Sequence, residues 1–338
     1  MEGEGMKVLV TGGSGFIGIN LAEVIAGDMD NMVILYSRSR PPRQAMEMLE
    51  QLPGQVIWEK GDVQDEERVG EVMRMYGVDH VAHAAVITPN ETREREQMER
   101  IIEVNCLGTL RVLAAAREHP VRRFVYVSSV AVYGNMCQEE DPVLVDTRKN
   151  PANTYEITKY ATELFCKRYA ELHHMDVAAL RLGDVYGAWE YRSGVRDTMS
   201  APCQAALCAL TGTTARMKKE GSTGWVYGKD TARAVLALFQ ADRLTQFAYN
   251  CGGVDRWSIP QFCDRLIKNY PDFQYSVDPE EKEPNVTFFS KKDNGLFDME
   301  KLEQDTGFRP VYDLEKGCED YLAWLEKYPE MVREVPAR

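Results

Sequence analysis

An α/β fold built on a doubly wound parallel sheet is predicted by three features of the 338-residue chain. Short apolar runs alternate with amphipathic stretches, a glycine-rich turn follows the first run, and the rhythm loosens after Gly187. The runs at 7–10, 32–36, 56–59, 80–83, 124–128 and 177–182 read as strands. Helical periodicity is strongest over 101–118 and 154–173, and a further strand and helix are expected over 225–240. Beyond these, 251–328 mixes short helices with Pro-bearing loops, and residues 1–5 read as a short disordered tail. The expected division is one domain from 1–183 and 225–250, with a smaller, discontinuous C-terminal lobe from 184–224 and 251–330. A ligand would then sit at the carboxyl ends of the strands, beneath that lobe.

The bulk composition narrows the function. With 40 basic and 53 acidic side chains the formal charge is -13, which disfavours nucleic acid or an anionic membrane as partner and favours small-molecule chemistry. The eight cysteines are scattered, without C-x-x-C or a Cys/His set at zinc spacing, so no metal is expected. They read as reduced, mostly buried thiols of a cytoplasmic protein. Neither a secretion signal nor a run of 18 apolar residues is visible, and no internal repeat occurs.

The segment Val8-Leu9-Val10-Thr11-Gly12-Gly13-Ser14-Gly15-Phe16-Ile17-Gly18 reads as strand, turn and helix start. Gly12, Gly15 and Gly18 let the backbone turn tightly and approach a pyrophosphate, while the helix N-terminus beginning at Phe16 and Ile17 offers its N–H groups. This is a dinucleotide turn of Rossmann type. At the end of the second strand, where an acidic residue usually meets the adenosine ribose, the chain has Tyr36, Ser37, Arg38, Ser39 and Arg40. A hydroxyl and a guanidinium there suit a 2′-phosphate, so NADP is the expected cofactor, with NAD as the alternative. Asp62 and Val63, after the third strand, are placed to hold the adenine.

Tyr155 and Lys159 are one helical turn apart on one face. A phenol titrates near pH 10, and an adjacent ammonium would bring it toward neutrality, as a general base requires. Lys159 would also donate to the cofactor ribose. Ser128 and Ser129 end the fifth strand, where the nicotinamide is expected.

These residues, with His83-Ala84-Ala85, Val132-Tyr133-Gly134, Asn150-Pro151, the run 181–187 and the tail 306–310, resemble the extended short-chain dehydrogenase/reductases. That superfamily contains the nucleotide-sugar epimerases and dehydratases. The resemblance implies Tyr155 as acid/base, Lys159 as its electrostatic partner, Ser129 orienting the reacting oxygen, Ala84 and Ala85 beside the cofactor, and Asn105 bracing the site. It also implies a homodimer formed through the helices that hold Asn105 and Tyr155.

Departures from that pattern bear on the substrate. Val130 and Ala131 replace the acidic pair that 4,6-dehydratases carry after the catalytic hydroxyl, so elimination of water is not expected. Thr223 stands where an arginine often grips a diphosphate, and Asp184 replaces the usual asparagine. Arg192, Arg196 or Arg233 would have to supply the missing contact; Arg192 and Arg196 equally suit one carboxylate or phosphate on a smaller molecule. His173-His174 reads as a solvated helix end, and 91–100 as an exposed charged face with room for a lid role. The leading expectation is an NADP-preferring oxidoreductase transferring hydride at a carbinol or carbonyl carbon of a small sugar-like or acidic substrate. A nucleotide-sugar epimerase with retained cofactor is the second reading. A non-catalytic dinucleotide sensor is the third, opposed by the intact Ser129, Tyr155 and Lys159.

Overall fold

The computed structural model describes residues 5–333, so the expected 1–5 tail lies outside it except for Gly5, which is half-buried. In chain order the strands are β1 (Lys7–Thr11), β2 (Met32–Ser37), β3 (Gln55–Lys60), β4 (His80–His83), β5 (Arg123–Ser129), β6 (Val177–Leu182), β7 (Val185–Tyr186), β8 (Ala215–Met217), β9 (Val226–Tyr227), β10 (Ala248–Cys251) and β11 (Tyr275–Val277). Seven of them form one sheet in the order β10-β6-β5-β4-β1-β2-β3, and each of its pairings is parallel. The order reverses between β1 and β4, where a doubly wound sheet opens its ligand crevice.

Residue alternation assigns the two faces. Val8, Val10, Val33 and Leu35 point into one apolar core with α1 (Phe16–Ile25) and α8 (Gly228–Gln240). Leu9, Ile34 and Tyr126 point into the other, against α3 (Glu66–Tyr76), α5 (Gly108–Arg117) and α6 (Thr154–His173). Helices must cover both faces because these strands are apolar on both sides. The first core continues without a break into the C-terminal part, where Tyr186, Trp225, Trp257, Phe262 and Tyr321 pack together.

Three elements differ from expectation. The helix predicted over 101–118 is instead the end of α4 (Glu91–Ile102), a π-helical turn at Glu103–Leu107, and α5. The strand expected near 225 leaves the main sheet, since β9 pairs in parallel with β7. The sheet's last place goes to β10, beside β6, which the sequence reading left unassigned. His173 and His174 are exposed at the end of α6. All eight cysteines are buried and free. No helix among the described residues is long and apolar enough to cross a membrane, and none of their His, Cys, Asp and Glu side chains cluster as a metal site.

Candidate active site

The glycine-rich turn follows β1 with a shape that only glycines allow. Gly12 has φ +69°, and a Cβ there would lie 2.8 Å from the Ala85 nitrogen. A Cβ on Gly18 would meet the Gly12 carbonyl at 2.5 Å, so the turn and α1 close directly on each other. Helix α1 has no side-chain cap and no acid in its first turn, whereas Asp65, Asn90, Asn153 and Ser200 cap α3, α4, α6 and α7 (Ala201–Thr211). Its first N–H groups remain for an anion. They border a cavity of about 770 Å³ that runs from Arg38 and Asp62 past Gly15 to Ser129, Tyr155 and Lys159.

At the far edge of the turn, Tyr36 and Ser37 do not present free hydroxyls. Tyr36 is fully buried and donates to the Asp62 carbonyl at 3.0 Å. The Ser37 hydroxyl donates to the Ser39 carbonyl at 2.9 Å and accepts from Trp58 Nε1 at 3.1 Å, so its expected role toward a 2′-phosphate is taken by structure. Arg38 is exposed, lines the cavity, and makes no ion pair among the described residues. The Arg40 guanidinium lies 5.8 Å from the Trp58 ring centroid. Asp62 also lines the cavity, its Oδ1 accepting from the Gln64 amide and its Oδ2 lying 3.5 Å from Arg100. Val63, Ala84 and Ala85 border the same space.

The end of the cavity at Ser129, Tyr155 and Lys159 is built by β5, α6 and the π turn. Ser128 and Ser129 point to opposite faces, as successive strand residues must. Ser128 donates to Glu163 at 2.6 Å, within a buried network in which Glu163 receives Arg181 at 2.7 Å and Arg181 reaches Tyr133 at 2.8 Å. Ser129 faces the cavity, and its Oγ accepts from the Ala131 amide at 3.1 Å. Asn105, inside the π turn, accepts from the Ile87 amide at 2.8 Å and donates to the Ile87 carbonyl and to Thr158. It thereby holds the segment after β4 against α6, the bracing expected of it. Extra turns of this kind recur at functional sites.

Electrostatics here differ from the expectation. Lys159 Nζ donates to the Val127 carbonyl at 2.6 Å and stands 5.9 Å from the Tyr155 ring centroid. Burial pushes Lys159 down to about 8 and Tyr155 up from its ordinary value, not down as an adjacent ammonium would push it. Opposing the rise are hydrogen bonding from Ser129, the charge of Arg196 and hydrogen bonding from Thr88. Below this centre His83 bonds Thr11 at 2.7 Å and Thr109 at 2.9 Å, and burial holds it neutral, down to about 3.

The part of the cavity beside Asp184 carries paired charges. Asp184 accepts from Asn294 at 2.9 Å and Thr223 at 3.3 Å, and burial raises its carboxyl. Lys219 pairs with Asp293 at 2.8 Å. Arg196 lines the cavity but pairs with the buried Glu190 at 3.0 Å, while Arg192 is exposed and is not among the cavity-lining residues. Arg196, expected to meet an anionic substrate group, is thus already paired, whereas Arg192 makes no ion pair among the described residues. Arg233 is tied to Asp230 at 2.5 Å. Thr88 and Glu190 were not singled out from sequence. Only Thr88 had a positional signal, in the loop after β4 at the carboxyl edge.

Comparison with known proteins agrees with this architecture. A bovine (Bos taurus) dTDP-D-glucose 4,6-dehydratase is 26% identical over 336 residues, covering 95% of this chain and 89% of its own. A UDP-glucose 4-epimerase of Corynebacterium glutamicum is 26% identical over 336 residues, covering 94% and 95%. Among solved structures, the UDP-glucuronic acid 4-epimerase of Bacillus cereus in complex with UDP-glucuronic acid and NAD superposes with a TM-score of 0.78 at 20% identity, covering 95% and 99%. The family model for the NAD dependent epimerase/dehydratase family matches residues 8–252, and the chain belongs to that family.

Proposed function

We propose that the protein is an NAD(P)-dependent oxidoreductase acting at a carbinol or carbonyl carbon of a small sugar-like substrate. The observation that carries this reading is the convergence of Ser129, Tyr155 and Lys159 on one cavity that also reaches the uncapped N-terminus of α1. A bound nicotinamide supplies the hydride acceptor or donor. Gly12, Gly15, Phe16, Ile17 and Gly18 would hold its pyrophosphate, Asp62, Val63, Ala84 and Ala85 would flank the adenosine half, and Lys159 would donate to the ribose. Ser129 orients the reacting oxygen, and Tyr155 takes or returns its proton. Residues 184–224 and 251–330 serve as the substrate-binding lobe. NADP is the preferred cofactor, through Arg38, and the buried free thiols suit a cytoplasmic protein.

A homodimer is part of the same reading. Ile157, Leu164, Phe165 and Leu172 are exposed at one-face spacing on α6, and Met98 and Ile102 are exposed on the neighbouring α4.

Retained-cofactor epimerisation of a nucleotide sugar is the second reading, favoured by the activities of the relatives. Dehydration has less support, because Val130 is buried and Ala131 has no proton to give. A substrate panel followed by NADH and NADPH absorbance separates the two: net turnover supports the first, product without net cofactor change the second. Tyr155→Phe should lower turnover by roughly 10²- to 10⁴-fold with cofactor affinity nearly intact. Unimpaired turnover in that variant would remove Tyr155 from the mechanism.

A further inference from the structure

Residues 190–200 form a loop with a fixed neck and a tied tip. At the neck the buried Glu190 accepts the Ser200 amide at 2.6 Å and the Ser200 hydroxyl, so the two ends of the loop meet and make it a compact unit. The chain leading into the neck is held in the core: Asn20 donates to the Ala188 carbonyl at 2.9 Å, Trp189 Nε1 donates to Glu23 at 3.0 Å, and the Trp189 ring packs on Trp324 and Tyr328. From Tyr191 to Thr198, by contrast, no residue is buried. This stretch crosses the cavity from wall to wall. On one wall the Tyr191 hydroxyl donates to the Ser14 carbonyl of the glycine-rich turn. On the other, the Thr88 amide donates to the Val195 carbonyl at 2.8 Å and the Asp197 amide donates to the Thr88 carbonyl at 3.2 Å. Tyr191, Ser193, Val195, Arg196 and Thr198 line the space below. A dinucleotide reaching from Arg38 and Asp62 to Ser129 and Tyr155 passes beneath the loop, and it cannot be laid in from above while both walls are tied.

The two ties differ in kind. The side at the glycine-rich turn is backed by the neck and by buried Trp189. The far side is polar throughout: Asp197 accepts from the Asn90 amide at 3.0 Å and pairs with Arg93 at 3.1 Å, and Arg93 also reaches the Gly194 carbonyl at 2.9 Å. Asn90 is the N-cap of α4, so the Asp197 carboxylate rests on the positive end of that helix. Gly194 has φ +78° with open space where a Cβ would stand, which gives the backbone freedom at the tip. Polar contacts near the surface open at lower cost than buried aromatic packing. We propose that residues 191–198 are a lid over the cofactor, that the lid opens at the Asp197 latch, and that this opening sets how fast the dinucleotide enters and leaves; this rests on reading the cavity as a dinucleotide site.

Neither Arg93 nor Asp197 is among the residues that line the cavity. Breaking their pair therefore changes the gate and removes no contact to the cofactor. A gate that is open for a larger fraction of the time speeds entry and release alike, and leaves affinity where it was. The latch also docks on the turn of α4 that holds the start of the catalytic helix, since Glu94, next to Arg93, accepts the Thr154 amide and the Thr154 hydroxyl, each at 2.6 Å.

Stopped-flow fluorescence tests this by following NADPH as it binds the protein and as it is released into excess NADP, with NADH and NAD run alike. Asp197→Asn and Arg93→Met should each raise the association and release rate constants together by about fivefold, with Kd held within about twofold. Hydrogen exchange of the peptide covering 191–198 should quicken in both variants, while that covering α1 should not. Wild-type rates in both variants overturn the proposal. Faster release with unchanged association overturns it as well, because the pair would then support affinity and not gate access. Faster rates without quicker exchange over 191–198 place the route elsewhere, with the same consequence. Should Asp197→Asn fail to fold, Arg93→Met decides alone. The underlying reading fails separately, if neither NADPH nor NADH binds the wild-type protein.

Discussion

The Thr223 hydroxyl donates to Asp184 Oδ2 at 3.3 Å, so the two positions at which the chain departs from a diphosphate-gripping pattern meet in space. Their partners, Asn294 and the Lys219–Asp293 pair, leave no unpaired cation among the described residues beside that carboxylate. The prediction is a substrate without a nucleoside diphosphate. Two like charges about 4 Å apart cost roughly 4 kcal/mol at an effective dielectric near 20, about a thousandfold in affinity. Calorimetry of UDP, GDP, dTDP and CDP against the NADP-loaded protein should therefore show no micromolar binding. Any such binding would move the epimerase reading to first place.

Arg38 is the residue left to choose between the cofactors, since Ser37 is bonded to Ser39 and Trp58. One Arg–phosphate contact contributes roughly 1.5 to 3 kcal/mol, a preference of about 10- to 100-fold for NADP(H). Titration of both cofactors into wild type and Arg38→Ala should show that preference and its loss. Equal wild-type affinities would show Arg38 to be only a solvated loop residue.

Lys159 links function to stability through pH. Its folded value of about 8 lies below the ordinary 10.5, so between these the folded state binds fewer protons than the unfolded one. The burial penalty is fully present below pH 8 and is relieved as the pH rises toward 10.5, a shift equivalent to about 3 kcal/mol at most. Lys159→Met should therefore unfold later than wild type in urea at pH 7, and the difference should shrink toward pH 10. The same variant should bind cofactor more weakly. A stability gain that is flat with pH would mean that packing, not charge, is responsible.

The exposed apolar face of α6 predicts a concentration-dependent association. Leu164→Glu combined with Phe165→Glu places two carboxylates on that face and should sediment as one chain, while wild type sediments as two. Wild type sedimenting as one chain at micromolar concentration would exclude the homodimer.

Local pattern made the fold largely legible. The sheet through β6 was readable because each strand is an apolar run bounded by turn residues, and the dinucleotide turn because its glycines follow the first strand. Tyr155 and Lys159 were readable from a four-residue spacing. What escaped depended on contacts between distant segments: the π turn, the departure of β9 from the main sheet, the commitment of Ser37 to Trp58, and the Glu190–Arg196 pair. The rise of the Tyr155 phenol was missed for a related reason. Spacing reveals the nearby ammonium, whereas burial depends on everything that packs around it.

The eight buried thiols make the protein a reporter of its own opening. Burial pushes Cys137, Cys263 and Cys318 up to about 12, and it raises the other five as well. Thiolates are the reactive form, so alkylating reagents at neutral pH have almost nothing to attack in the closed molecule. Cys106 lies in the π turn and Cys166 on α6, whereas Cys203, Cys208, Cys263 and Cys318 lie in the C-terminal elements. Mass spectrometry of alkylated peptides would therefore time-stamp which region breathes first, with no label engineered into the chain.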